Sequence, residues 1–72
     1  MYLYQPIEEQ LYTSDLGMYR SYGICIKDDA GNIVSILSDV STNKELVTDL
    51  ATRCTSGELA PEHLRDVVLN SI

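Results

Sequence analysis

This 72-residue sequence contains no tryptophan and no phenylalanine, and it has only two cysteines, two prolines and four glycines. Two isolated cysteines, Cys25 and Cys54, do not make the disulfide framework of a small secreted domain, so we expect reduced thiols. No apolar run approaches the roughly 18 residues of a membrane-spanning helix, and residues 1–6 carry no basic leader. The sequence therefore predicts a cytoplasmic protein without a targeting segment or a membrane span.

Basic residues are also scarce. Five lysines and arginines stand against eleven aspartates and glutamates, which gives a formal net charge of −6. This balance argues against direct binding to nucleic acid or to an anionic membrane, because both carry charge of the same sign. It favours another protein as the partner, including a protein with a basic surface.

The length and the apolar content predict one small domain spanning residues 1–72. The hydrophobic fraction of 44% is ordinary for a globular protein. A chain this short buries only roughly 60% of the surface that it exposes when unfolded, so we expect a thin core.

The first half of the chain predicts antiparallel strands. Residues 18–27 alternate between apolar and polar positions, which predicts one strand. Residues 33–37 form a second run of residue types that favour strands. The aspartates and glycine of residues 28–32 predict a turn, so the two runs form a central hairpin. Residues 4–13 predict a weaker strand at the edge of the sheet, because Pro6 cannot donate to a strand ladder.

The second half predicts two short helices. Thr42 and Glu45 have the spacing of a capping box, and Gly57 is a stop signal for the first helix. Pro61 predicts the start of the second helix, with Ala60 as an N-cap that has no capping side chain. The predicted inward stripe of the first helix is Leu46, Val47, Leu50, Ala51 and Cys54. That of the second helix is Leu64, Val67, Val68 and Ile72.

Strands first and helices second predict an α+β fold. We expect a small antiparallel sheet of two to three strands, built on the central hairpin, followed by two short helices that pack on one face.

No group of residues predicts catalysis, a metal or a cofactor. Cys54 lies within an apolar stripe and His63 at the edge of another, so packing explains both better than a thiol and its base. Zinc takes about four ligands, whereas Cys25, Cys54 and His63 are widely separated. Turn chemistry explains residues 28–32 better than calcium binding does. We expect no enzyme and no cofactor.

Two sets of residues are candidates for binding a partner. Tyr22 has a core position, but the other four tyrosines have none, and tyrosine is enriched at interfaces. They either cover the open sheet face or form a partner surface, in which case a two-fold homodimer would close that face. These tyrosines are Tyr2, Tyr4, Tyr12 and Tyr19. Three acidic residues recur every four positions and form either an acidic docking stripe or a solvated face. These are Glu58, Glu62 and Asp66.

Five short motifs follow one another along the sequence over roughly residues 22–68. They are Tyr22-Gly23-Ile24, Asp39-Val40-Ser41, Leu46-Val47, Cys54 and Leu59-x-Pro61-x-His63-Leu64-x-Asp66-Val67. With these motifs the chain resembles a family of short uncharacterised proteins from Firmicutes, mainly clostridia. The resemblance implies a fold and a bacterial source, and it assigns no role to any residue.

Two functions are consistent with these observations. The first is a non-catalytic protein-interaction module that binds another protein without a cofactor. The second is an acidic mimic of nucleic acid, which occupies the basic site of a nuclease as anti-CRISPR and anti-restriction proteins from phages and mobile elements do. Their expected salt dependence differs, because a phosphate mimic loses its partner as ionic strength rises.

Overall fold

Three strands and two helices follow one another in the order that the sequence predicts. The structure is a computed structural model, and it describes residues 1–71. Ile72, which belongs to the predicted inward stripe of the second helix, lies outside the described residues. The elements are β1 (Leu3–Thr13), β2 (Gly17–Lys27), β3 (Ile33–Ser41), α1 (Lys44–Ser56), a 3-10 turn (Pro61–His63) and α2 (Leu64–Ser71).

The sheet is an antiparallel meander with the strand order β1-β2-β3. β1 pairs with β2 over its whole length, from Leu3 opposite Lys27 to Thr13 opposite Gly17. It is an edge strand, as predicted, but its pairing is complete. Pro6 is tolerated because an edge strand bonds to a neighbour on one side only.

The predicted central hairpin of β2 and β3 is confirmed. Asp28 organises its turn, since one carboxylate oxygen accepts hydrogen bonds from the backbone N–H groups of Ala30 and Asn32, each at 2.9 Å. Gly31 supplies the left-handed conformation that the turn requires, with φ +85°. β3 continues to Ser41, four residues beyond the predicted end at residue 37.

Both ends of α1 differ in detail from the prediction. The N-cap is Asn43, not Thr42, and its side-chain oxygen accepts from the N–H groups of Glu45 and Leu46 at 3.1 and 3.2 Å. Asparagine caps as well as threonine does, and here it stands one residue nearer the helix. Gly57 is the C-cap, as predicted, but it keeps a right-handed conformation, and Glu58 takes the left-handed one with φ 52°.

The second helical segment starts at Pro61, and Ala60 is its N-cap without a side-chain hydrogen bond. Both features were predicted. The first turn is a 3-10 turn, however, and the α-helix proper begins at Leu64. No helix among residues 1–71 is long and apolar enough to cross a membrane.

The helices pack on one face of the sheet, and the core lies between the two layers, which confirms the predicted α+β fold. Burying these side chains is the main favourable contribution to folding. Four residues of the predicted α1 stripe, Val47, Leu50, Ala51 and Cys54, are buried, and the fifth, Leu46, is partly buried against the core. The buried core residues are Tyr4, Ile24, Ile26, Val47, Leu50, Ala51, Cys54, Leu64 and Val68.

Candidate functional site

The edge formed by residues 33–38, which we call the β3 edge, is apolar and open. In the described chain, β3 pairs with β2 alone, so its other side has no strand neighbour. The segment reads Ile-Val-Ser-Ile-Leu-Ser and contains no charge and no proline. Ile33, Val34 and Ile36 are 59%, 48% and 51% exposed. Unpaired backbone groups and exposed apolar side chains therefore occur together on one strand.

The other edge of the sheet is protected in a way that the β3 edge is not. β1 carries Pro6, Glu8 and Glu9, and a proline and charges are the usual means of preventing an edge strand from pairing with other chains. Glu8 also forms an ion pair with Arg20 at 3.3 Å. Residues 33–38 have neither of these protections, so the two edges of the sheet differ in charge and in apolar exposure.

A groove adjoins the β3 edge on the helix side of the sheet. It consists of two cavities of about 380 and 200 Å³, both lined by Leu37 of β3 and Arg65 of α2. Leu69 of α2 lines the larger cavity and is 70% exposed. Arg65 makes no ion pair with any residue in 1–71. The β3–α2 groove therefore places apolar side chains beside the open strand together with charged ones, since Arg65 shares the groove with Asp39 and Glu62.

A hydrogen-bonded clamp from β1 holds the β3 residues at one end of this groove. One carboxylate oxygen of Glu9 accepts from the backbone N–H of Asp39 at 2.9 Å, and the other accepts from the Ser38 hydroxyl at 2.7 Å. Glu9 lies on β1, so its side chain crosses β2 to reach β3. We call this arrangement the Glu9 clamp. It holds Ser38 and Asp39, which both line the larger cavity.

Gly23 makes the crossing possible. A Cβ atom at this position would lie 2.5 Å from the backbone oxygen of Leu37 and 2.8 Å from the Glu9 carboxylate. Real Cβ contacts are longer than this, so only glycine fits without a shift of its neighbours. The sequence carries a signal for this feature, because an isolated glycine within a strand indicates a bulge or a close approach.

Asp39 lies at an irregularity of β3 and has a left-handed conformation, with φ 53°. Its carboxylate accepts from the Ser21 hydroxyl at 2.7 Å and from the Tyr19 hydroxyl at 3.0 Å. Ser21 is fully buried. The hydrogen bond to Asp39 raises the pKa of Tyr19, because the carboxylate favours the protonated phenol. Asp39 therefore joins β2 to the bulge of β3 at the end of the groove.

The four candidate tyrosines do not form one surface. Tyr4 is a core residue, 3% exposed, and its hydroxyl donates to the backbone oxygen of Leu59. The prediction of Tyr4 as a partner-binding residue is therefore wrong, because its ring fills the space between β1 and α1. Tyr12 pairs with Met18 and Tyr19 pairs with Leu11. Neighbouring strand residues point to opposite faces, so Tyr12 and Tyr19 lie on different faces.

Among the remaining tyrosines, Tyr2 and Tyr12 are 37% and 69% exposed, and their role in binding stays a prediction. Tyr19 is half-buried and bonded to Asp39. Tyr22 is half-buried and packs against the core, as predicted.

The three candidate acidic residues are exposed, but they belong to different elements. Glu58 follows α1 in a left-handed conformation, Glu62 lies in the 3-10 turn, and Asp66 lies in α2. Their spacing of four residues is therefore not the repeat of a single helix face. Their role in docking stays a prediction.

The cysteines and the histidine do not converge. Cys54 faces the core, whereas Cys25 lies opposite Gln5 and Ile36 on the other face of the sheet. Burial raises the pKa of the Cys54 thiol, which disfavours the reactive thiolate. His63 is exposed and lies 3.7 Å from Glu62. Among residues 1–71, no group of three or more metal-ligating side chains comes together.

Fold and site together define a small α+β protein whose sheet carries helices on one face and has one unprotected apolar edge. The chain belongs to a family of unknown function, DUF6514, whose model matches residues 1–72. No curated protein and no solved structure matches the chain.

Proposed function

We propose that this chain is a non-catalytic protein-interaction module of the cytoplasm of a Firmicutes bacterium. It binds its partner protein along the β3 edge and the β3–α2 groove. One observation carries the proposal: residues 33–38 combine an unpaired strand edge with three large apolar side chains that are about half exposed. Small soluble proteins rarely leave such a patch uncovered.

The chemistry of the surface matches binding by strand addition. In that mode, backbone hydrogen bonds to an edge strand supply affinity, and side-chain pockets on either side supply specificity. Here Ile36 lies on the open face of the sheet, opposite Cys25, whereas Leu37 lies on the helix face and lines the groove. An added strand would therefore find apolar partners on both of its faces.

The distribution of acidic groups supports this proposal over an acidic mimic of nucleic acid. Several carboxylates are engaged within the chain, since Glu8 and Asp49 pair with arginines and Glu9 and Asp39 accept hydrogen bonds. The candidate docking acids do not share a helix face, because Glu58 lies in the loop after α1, Glu62 in the 3-10 turn and Asp66 in α2. A mimic of nucleic acid needs a regular row of free charges. The structure gives less support to such a row than to a binding surface at the apolar β3 edge.

The cytoplasmic setting rests on the thiols and the motifs. Cys25 and Cys54 are both free and buried, on opposite faces of the sheet. Free buried thiols are typical of a reducing compartment. The motif series over residues 22–68 supports the bacterial source. Among residues 1–71 no nucleophile, base and acid converge, which supports a non-catalytic role.

Affinity capture with matched baits tests the proposal. The baits are the wild-type chain, Ile36→Lys and, as a control, Met18→Lys, which changes a residue of similar exposure at the far end of the β1–β2 hairpin. We expect one host protein to be retained by the wild type and by Met18→Lys, and lost with Ile36→Lys. A capture profile that is the same for both variants would contradict binding at the β3 edge.

A further inference from the structure

We propose that the occupant of the β3 edge is a second copy of this chain, paired antiparallel through residues 33–38 about a two-fold axis. The inference rests on the proposed function and names its partner. It differs from the homodimer expected through the tyrosines, because Tyr4 is buried and Tyr12 and Tyr19 lie on different faces.

The first argument is charge. Two chains of net charge −6 repel each other, and the repulsion is least where neither surface carries a charge. Residues 33–38 form such a surface, since the flanking acids Asp29 and Asp39 lie outside the segment. The β1 edge, with Glu8 and Glu9, would bring like charges together, which is unfavourable for side chains directly opposite each other.

The second argument is self-complementarity. A two-fold contact uses the same surface on both partners, so each chain must offer what the other requires. The β3 edge requires an extended, uncharged segment with apolar groups on both faces, and residues 33–38 of a second copy are such a segment. Antiparallel pairing of two identical strands is compatible with a two-fold axis perpendicular to the sheet. The two sheets then continue into one.

The third argument is the position of α2. An axis perpendicular to the sheet puts the helices of both copies on the same face, and α2 is the helix that lines the groove at the β3 edge. Leu69, the most exposed apolar side chain of α2, would then be covered by the second copy. The contact therefore buries apolar side chains from both layers, the sheet and the helix.

The size of the chain makes the pairing useful. Small domains commonly gain stability from a disulfide, a metal or association. Cys25 and Cys54 lie on opposite faces of the sheet and do not form a disulfide. Pairing at the β3 edge would extend a thin core and would satisfy backbone groups that otherwise bond only to water.

Sedimentation equilibrium from about 1 µM to about 1 mM, a range that covers weak and moderate dimers, tests the proposal. Ile36→Lys and Leu69→Lys should each raise the dimer dissociation constant by at least about tenfold, because each would place an ammonium group in an apolar contact. Met18→Lys should not change it. All three variants reduce the net charge equally, from −6 to −5, so long-range repulsion cannot separate them.

Amide hydrogen exchange identifies the edge. We expect exchange of backbone amides within residues 33–38 to slow as the wild-type concentration rises, whereas exchange in β1 stays unchanged. Far-ultraviolet circular dichroism of each variant checks that the monomer remains folded, which the exposure of Ile36 and Leu69 favours.

Three results would overturn the dimer. They are a wild-type monomer at every concentration, a dimer that survives both Ile36→Lys and Leu69→Lys, or concentration-dependent protection in β1. A monomer whose β3 edge still captures a host protein in the bait experiment would leave the proposed function standing. If sedimentation shows no dimer and the baits capture no protein through the β3 edge, both the dimer and the proposed function are contradicted.

Discussion

The carboxylate of Glu9 on β1 accepts the backbone N–H of Asp39 on β3 at 2.9 Å, although β2 lies between the two strands. This hydrogen bond fixes the point at which β3 bends away from regular pairing. It also sets one end of the β3 edge, because Asp39 is the first charged residue after the uncharged segment. The polar clamp thus defines where an added strand would have to stop.

Gly23→Ala should destabilise the protein by about 1–3 kcal/mol, the usual cost of forcing extra atoms into a packed site. The new methyl group would meet the Leu37 backbone oxygen and the Glu9 carboxylate. Urea unfolding followed by circular dichroism measures the loss. Gly57→Ala is the control, because Gly57 has a right-handed φ of −84° and its Cβ contact would be longer, at 3.2 Å. Equal stability of the two variants would show that Glu9 and β3 shift to accommodate the new methyl group at little cost in free energy.

Tyr4→Phe should lower the free energy of unfolding by about 1 kcal/mol, since it removes one hydrogen bond and strands the Leu59 carbonyl. Tyr12→Phe is the matched control, because Tyr12 is 69% exposed. We expect its urea midpoint to stay close to that of the wild type. If Tyr4→Phe is as stable as this control, the Tyr4 hydroxyl does not contribute to the stability of the fold.

Alkaline pH should weaken the fold, and Tyr4 should account for part of the effect. Burial raises the pKa of Tyr4 above its ordinary value of 10.0, and it raises that of Cys54 above 9.0. A raised pKa in the folded state means that stability is complete below the unfolded value and is lost as pH rises through the folded value. The urea midpoint should therefore fall from about pH 9 upward. Tyr4→Phe should make the decline above pH 10 shallower.

The parts of the fold that depend on residues close together in the sequence were predictable from it. The apolar stripe from Val47 to Cys54 specifies one face of α1, and Gly57 and Pro61 mark the end of one helix and the start of the next. The choice of Asn43 over Thr42 as the N-cap was not predictable from the capping-box spacing, because both side chains can cap.

The candidate site was less predictable, because its contacts join residues far apart in the chain. Glu9 and Asp39 are separated by 30 positions. No periodicity relates them, and their contact lies at the bulge that carries β3 past residue 37. The burial of Tyr4 has the same origin, since it requires Thr55 and Leu59 from the far half of the chain. The β3 edge was visible only as an apolar run whose inward face the sequence did not specify.

Salt should strengthen the association of the wild-type chain. Two copies that meet at an uncharged strand gain no ion pair that salt could weaken, while the repulsion between two charges of −6 is screened. The screening length falls from about 10 Å at 0.1 M to about 3 Å at 1 M, so most of the effect should appear in this range. Sedimentation equilibrium in sodium chloride should show a lower dimer dissociation constant at the higher concentration. A host partner held at the same apolar edge should likewise remain bound to the bait.

Steep loss of a host partner over this range would instead support an acidic mimic that binds a basic site, because contacts between opposite charges weaken as salt rises. Glu62→Gln and Asp66→Gln would then weaken capture of that partner, whereas Ile36→Lys would not, and the proposed role of the β3 edge would be contradicted.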